Sequence, residues 1–311
     1  MAAECHLKDL SRDLLVNVMA RLDGLSLAAA ACTCTELLDL ATERGLWESL
    51  CHTTWPSTAC PEAKNMVVPF NNKFYAQSRP LILYDDSVGG VSGMKTAESF
   101  AAEDLVSLVD VFYKGVCVLS KVIDGIPEAG SDRGEQHQKW FDDCPFELDV
   151  VKFDYSQGNG SGEDEDVVTE DAAGNLSQEL EEDVRLSWVL LNKKTGKSVN
   201  VSSCKPLKVK NSWIYSNNYT FQFGCVVPVE VLAECVITAR CERRNEKRDI
   251  SGGLKWEEIG MSIKDMAGAH LGGKKSLTVL NKAMYCARSN DPERVRRGYE
   301  RLEKLKKEMK C

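Results

Sequence analysis

Residues 7–56 read LKDLSRDLLVNVMARLDGLSLAAAACTCTELLDLATERGLWESLCHTTWP, and this stretch decides the architecture. Leu14, Leu15, Val18, Met19 and Leu22 return every three or four residues, which is one apolar stripe on a helix with Asn17 and Arg21 off it. Asp9 or Ser11 caps the start, and Asp13 stands where a first-turn acid is favoured. Asp23-Gly24 ends this helix. A second short helix runs through the alanine-rich 27–32, a third carries Leu37, Leu38 and Ala41, and a fourth carries Leu46, Trp47, Leu50 and Cys51. A bundle of about fifty residues is too small to bury a good core alone. It holds more apolar side chains than it can hide, so part of that surface needs a partner.

The spacing of those side chains resembles an F-box. The resemblance rests on Leu10, the pair Leu14-Leu15, Val18, Leu22 closing the first helix, and the closing Leu46-Trp47-Leu50. It implies a helical module that docks on a Skp-type adaptor, itself seated on a cullin scaffold with a RING subunit. The implied adaptor contacts are Leu10, Ser11, Leu14, Leu15, Val18, Leu22, Leu25, Cys32, Leu46, Trp47 and Leu50. Ser11 stands where the family usually has proline; serine caps the helix that proline would pre-set, so the helix is expected to survive.

At 311 residues the chain is comfortable for two domains. Its thirteen cysteines are odd in number, and the first ten residues, MAAECHLKDL, carry charge and no apolar core, so no signal peptide is read there. Reduced cysteines in the cytoplasm or nucleus are the simplest account. No run is long and apolar enough for a membrane span. The net charge of -8 is local: residues 157–183 hold ten acids and no base, leaving 37 acids against 39 bases elsewhere. That segment, with Gly158, Gly160, Gly162 and the run Glu163 to Asp166, is expected to be a disordered insertion.

From 56 to 73 a turn-rich connector is expected, followed by a short strand at 79–84 and a helix start at 96–105. Two β-branched runs, 105–113 and 116–123, flank Lys114-Gly115 and predict a hairpin. A single amphipathic helix over 103–123 competes, and Gly115 with the density of valine opposes it. Further strands are predicted at 146–153, 184–190, 199–201, 207–209, 219–223, 235–241, 254–265 and 277–284. Gly252-Gly253 and Gly272-Gly273-Lys274-Lys275 are read as hairpin turns. Many short strands with turns between them mean an antiparallel sandwich. Ser289 to Glu293 then starts a helix, with Pro292 at its first position and Val295, Tyr299, Leu302, Leu305 and Met309 as its stripe. Nine bases against five acids over 288–311 make it basic, and the stripe is expected to dock on the sandwich or the N-terminal module.

The predicted fold class is α+β: a helical module at 7–56, a β-rich sandwich-like domain at 57–287 and a C-terminal amphipathic helix at 288–311. The β-rich part resembles that of a plant group of F-box proteins without leucine-rich, kelch or tryptophan–aspartate repeats, on the segments at 186–191, around Trp213 and at 256–271. No repeat of 20 to 50 residues is present.

No chemistry is legible. The four histidines (His6, His52, His137, His270) are too far apart for a zinc pattern, Cys32 and Cys34 lack the CxxC spacing, and neither glycine pair has phosphate-loop spacing. No catalytic residue, metal or cofactor is assigned, nor a nucleic acid or membrane partner. The expected function is substrate recognition for a Skp–cullin–F-box ubiquitin ligase, with an unknown client held by turns on the β domain. Trp213, Tyr215, Gly253, His270 and Lys274 are the candidate client-binding residues. The alternatives are a sandwich that binds a glycan or small molecule, which Trp188, Trp213 and Tyr215 clustered on one surface would favour, or a protein that sequesters the adaptor.

Overall fold

The computed structural model describes residues 10–64, 71–84, 101–126, 135–152, 178–212, 217–229, 232–243 and 253–309. Helix α1 (Arg12–Met19) starts where Ser11 replaces proline, its hydroxyl accepting from the Leu14 amide at 3.4 Å. Asp23 caps α2 (Gly24–Ala31) through the Ser26 amide at 2.7 Å. Helices α3 (Thr35–Ala41) and α4 (Arg44–Thr54) complete the four-helix module. The stretch expected to be a connector is instead largely helical: a 3-10 turn at Pro56–Ala59, then α5 (Pro61–Lys64) and α6 (Asn72–Ser78). Pro56 and Pro61 each open a helical turn, where a missing amide costs nothing. Asn71 caps α6 through the amides of Lys73 and Phe74.

Strand β1 (Leu81–Ile82) is short, and the predicted helix start survives as a 3-10 turn at Ala102–Asp104, with 96–100 outside the described residues. The hairpin is β2 (Leu105–Tyr113) and β3 (Val116–Asp124). Its turn residues Lys114 and Gly115 both have positive φ, 51° and 79°, the pairing that matches the twist of a two-residue hairpin. After α7 (Glu135–Asp143) come β4 (Glu147–Val151), β5 (Val184–Asn192), β6 (Ser198–Asn200), β7 (Lys208–Asn211), β8 (Asn218–Val227), β9 (Ala233–Arg243) and β10 (Leu254–Asp265). Helix α8 (Gly273–Ala283), β11 (Arg288–Ser289) and α9 (Pro292–Glu308) close the chain.

Two sheets result, ordered β11-β1-β6-β5-β2-β3 and β4-β10-β9-β8-β7, antiparallel throughout except for β1 against β6. They share one core in which Val109, Val111, Leu186 and Trp188 of the first meet Phe221, Phe223, Ile237 and Ile259 of the second. β2 pairs with β5 across the acidic stretch, and β4 pairs with β10, so each sheet takes strands from both sides of it. Trp256 and Ile259 differ in parity, yet both pack on this core, because the register of β10 against β9 shifts between Trp256 and Glu258.

Three expectations need correction. The predicted strand at 277–284 is part of α8, in which Ser276, Val279, Leu280 and Ala283 are buried at helical spacing. Gly272-Gly273 is accordingly a close contact and not a hairpin turn: a Cβ at Gly273 would lie 2.4 Å from the Phe141 ring and one at Gly272 2.3 Å from the Asp142 carbonyl. The acidic insertion does not extend to 183. Residues 178–183 form a helical turn whose Leu180 is 1% exposed in the sandwich core, while 157–177 lies outside the described residues. The terminal helix α9 docks on the sandwich, burying Val295, Tyr299 and Leu302, with Tyr299 and Leu302 against Val226.

Candidate functional site

The first sheet is covered on both faces. Val109, Val111, Leu186 and Trp188 point into the sandwich, while the alternate residues Val106, Leu108, Val189 and Leu191 pack against the helical module. This explains why β5 gives up its alternation after Ser187 and runs Trp188-Val189-Leu190-Leu191, as strands buried on both faces do. The four helices thus find in the sheet, and in Trp55, Phe74 and Tyr75, the core they are too small to make. Trp47 is pinned inside it, its indole N–H donating to the Ala41 carbonyl at 2.6 Å and its ring 5.6 Å from that of Tyr75. Gly24 is needed there, since a Cβ would fall 2.2 Å from the Tyr75 ring, itself wedged against Trp55.

Polar contacts fix the same joint. The Trp55 indole donates to Ser187 Oγ at 3.0 Å, Ser78 bonds Ser198, and the Ser198 amide donates to Gln77 Oε1. Asp110, wholly buried on β2, accepts from the Ser57 amide (2.8 Å), the Ser57 hydroxyl (2.6 Å) and the Ser120 hydroxyl (2.7 Å). Burial pushes its carboxyl above the usual carboxylate range, and the three donors only partly pull it back.

Against this packing, the outward side of the module stays apolar. Leu14, Val18, Leu25 and Leu38 are 53%, 54%, 64% and 46% exposed. Leu14 and Val18 share one face of α1 by their spacing of four, and both α1 and α2 pack on α3, which carries Leu38. The residues singled out in the sequence therefore divide. Ser11, Leu14, Val18, Leu25 and Cys32 are exposed; Leu10, Leu22 and Leu50 are half-buried. Leu15, Leu46 and Trp47 are 3%, 6% and 7% exposed: they hold the module together and to the sheet. Leu38 was not singled out, because the pair Leu37-Leu38 gives no sign of which member faces out.

The candidate client-binding residues do not assemble. Gly253, with φ 79°, opens β10, whereas exposed His270 and Lys274 follow its far end, twelve residues on, about 40 Å away along the strand. Trp213 and Tyr215 lie outside the described residues. Trp188, one of the three aromatics of the glycan alternative, is fully buried. Among the described residues no group of three His, Cys, Asp or Glu side chains is placed to hold a metal ion, and no helix is long and apolar enough to cross a membrane. Cys235 and Cys241 are core residues, and burial pushes the thiols of Cys51, Cys241 and Cys286 up to about 12.

Comparison with known proteins bears on the same segment. Residues 7–49 match the F-box domain family. The chain is similar to F-box protein At3g44326 of Arabidopsis thaliana, with 28% identity over 277 residues, covering 86% of this chain and 70% of that protein. It is similar also to the probable F-box protein At2g36090 (28% over 278 residues, 89% and 74%) and F-box protein At2g27310 (26% over 296 residues, 92% and 81%) of the same plant. No solved structure matches the chain. An N-terminal F-box domain followed by a non-repeat, β-rich domain, as in plant F-box proteins, is the organisation of this chain.

Proposed function

We propose that this protein is the substrate-recognition subunit of a Skp–cullin–F-box ubiquitin ligase, working in the cytoplasm or nucleus without bond chemistry of its own. The observation that carries the reading is the set Leu14, Val18, Leu25 and Leu38, large apolar side chains left in solvent by a module that matches the F-box family. Burying them on a Skp-type adaptor removes the cost of that exposure. The cullin and RING subunits are then recruited through the adaptor.

The joint between module and sheet supports the second half of the reading. A receptor raises the effective concentration of client lysines near the ubiquitin thioester, and a stiff connection preserves the geometry that does so. Here one hydrophobic core and the Asp110–Ser57 and Trp55–Ser187 contacts tie the two parts together. The test is client turnover in native cells. Replacing Leu14 and Val18 together by Asp should leave the protein folded and make at least one associated, non-ligase protein accumulate. A proteome in which no half-life responds to that variant contradicts the receptor reading and leaves adaptor sequestration in its place.

A further inference from the structure

Helix α9 and the outward face of the second sheet enclose a cleft of about 350 Å³, at the small end of the range for ligand sites. Its charged lining among the described residues is Lys208, Lys210, Lys264 and Lys306 against Glu234 and Glu303, an excess of two positive charges. Both acids are already engaged. Glu303 pairs with Lys208 at 3.1 Å and Lys306 at 3.5 Å, and Glu234, only 4% exposed, accepts from Lys306 and the Tyr299 hydroxyl. Lys210 and Lys264 have no acidic partner among the described residues, and the hydroxyls of Thr220 and Thr238 on the floor make no hydrogen bond there. The floor is preformed, because the registers Lys210↔Thr220, Gln222↔Thr238 and Glu234↔Lys264 hold these residues on adjacent strands.

The spacing selects the kind of guest. Lys210 is on β7 and Lys264 on β10, three strand intervals or about 14 Å apart across the sheet. They lie level with Arg240 and Glu234 of β9, six residues or about 20 Å apart along it, so their backbones are roughly 24 Å apart. That is too wide for one small anion to bridge, and matches the reach of about seven residues of extended chain. β7 is the last strand of its sheet, so a chain can enter the cleft from that side. No arginine among the described residues lines the cleft, so the forked donor that favours phosphate is missing there, and the two ammonium groups act as separate point charges. We propose that the cleft receives an acidic segment of the client, two carboxylates of one extended chain pairing with Lys210 and Lys264; this rests on the receptor reading above.

The experiment uses the full chain in complex with its Skp-type adaptor and a fluorescein-labelled peptide of alternating Glu and Gly, followed by anisotropy. Saturable binding is expected that weakens as salt rises, with Lys210→Glu and Lys264→Glu each lowering affinity about tenfold and Lys139→Glu on α7 leaving it unchanged. Three results overturn the proposal: no saturable binding at low salt, an equal loss with Lys139→Glu, or binding seen only when phosphoserines replace the glutamates. Co-purification of the adaptor in the same preparations separates this claim from its premise. Adaptor retained without peptide binding overturns the cleft alone, whereas an unmutated chain that fails to hold the adaptor contradicts the receptor reading.

Discussion

Single residues decide how the two parts of this chain are joined, and Asp110 is the clearest case. Its carboxylate is the acceptor for a buried backbone amide and two hydroxyls. Asp110→Ala leaves the Ser57 amide unpaired away from water and should cost about 1–3 kcal/mol or more in denaturant unfolding. Asp110→Asn keeps an acceptor for that amide and lets the Ser57 hydroxyl turn round to accept, so the loss should be far smaller. The pH dependence follows from the raised carboxyl pKa. A folded-state value above the ordinary 3.8 means the folded protein holds its proton more tightly, so this group's contribution to stability falls as the pH rises through the folded-state value. The stability of the Asp110→Asn variant relative to the native chain should therefore improve across that window, read from melts of both proteins between acid and neutral pH. None of this was legible in the sequence, where Asp110 is one acid inside a strand; its partners lie 53 residues before it and 10 after it.

At the scale of elements, patterns with a strict period were legible and local counts of composition were not. The stripes of α1 and α9 and the hairpin of β2 and β3 appear where periodicity and Gly115 place them. Helix α8 was missed because Leu277, Thr278, Val279 and Leu280 look like strand residues, and only tertiary burial at 276, 279, 280 and 283 shows a helical face. Leu180 was missed because ten surrounding acids outvoted one apolar anchor. Leu180→Ala should accordingly cost about 2–5 kcal/mol. A deletion running to Asp183 should melt lower than one stopping at Ser177, and equal melts would show that the buried leucine contributes nothing. On α2, Gly24→Ala drives a methyl into a Tyr75 ring with no room to swing, so a drop of about 1–3 kcal/mol is expected in chemical unfolding.

At the scale of the whole molecule, the F-box and the β domain are not two beads on a string. The β domain without its first 56 residues would expose Val106, Leu108, Val189 and Leu191 on a sheet that is otherwise closed on both faces. It should be less stable than the full chain or aggregate on its own, which a comparison of melting and light scattering would show. This arrangement also explains why the candidate adaptor residues divide into buried and exposed sets. A family motif marks residues by spacing, and spacing does not say which of them the rest of this chain has already covered. Leu15, Leu46 and Trp47 are covered; Leu14, Val18, Leu25 and Leu38 are not.

The central claim is that this second group is the face presented to a Skp-type adaptor, and titration of purified adaptor into the full-length protein by calorimetry tests it most directly. The expected result is tight binding by the native chain, a loss of at least about a hundredfold in the folded Leu14→Asp, Val18→Asp double variant, and near-native affinity in whatever fraction of Leu15→Ala remains folded. Native affinity in the double variant, with an unchanged melting curve, contradicts the claim.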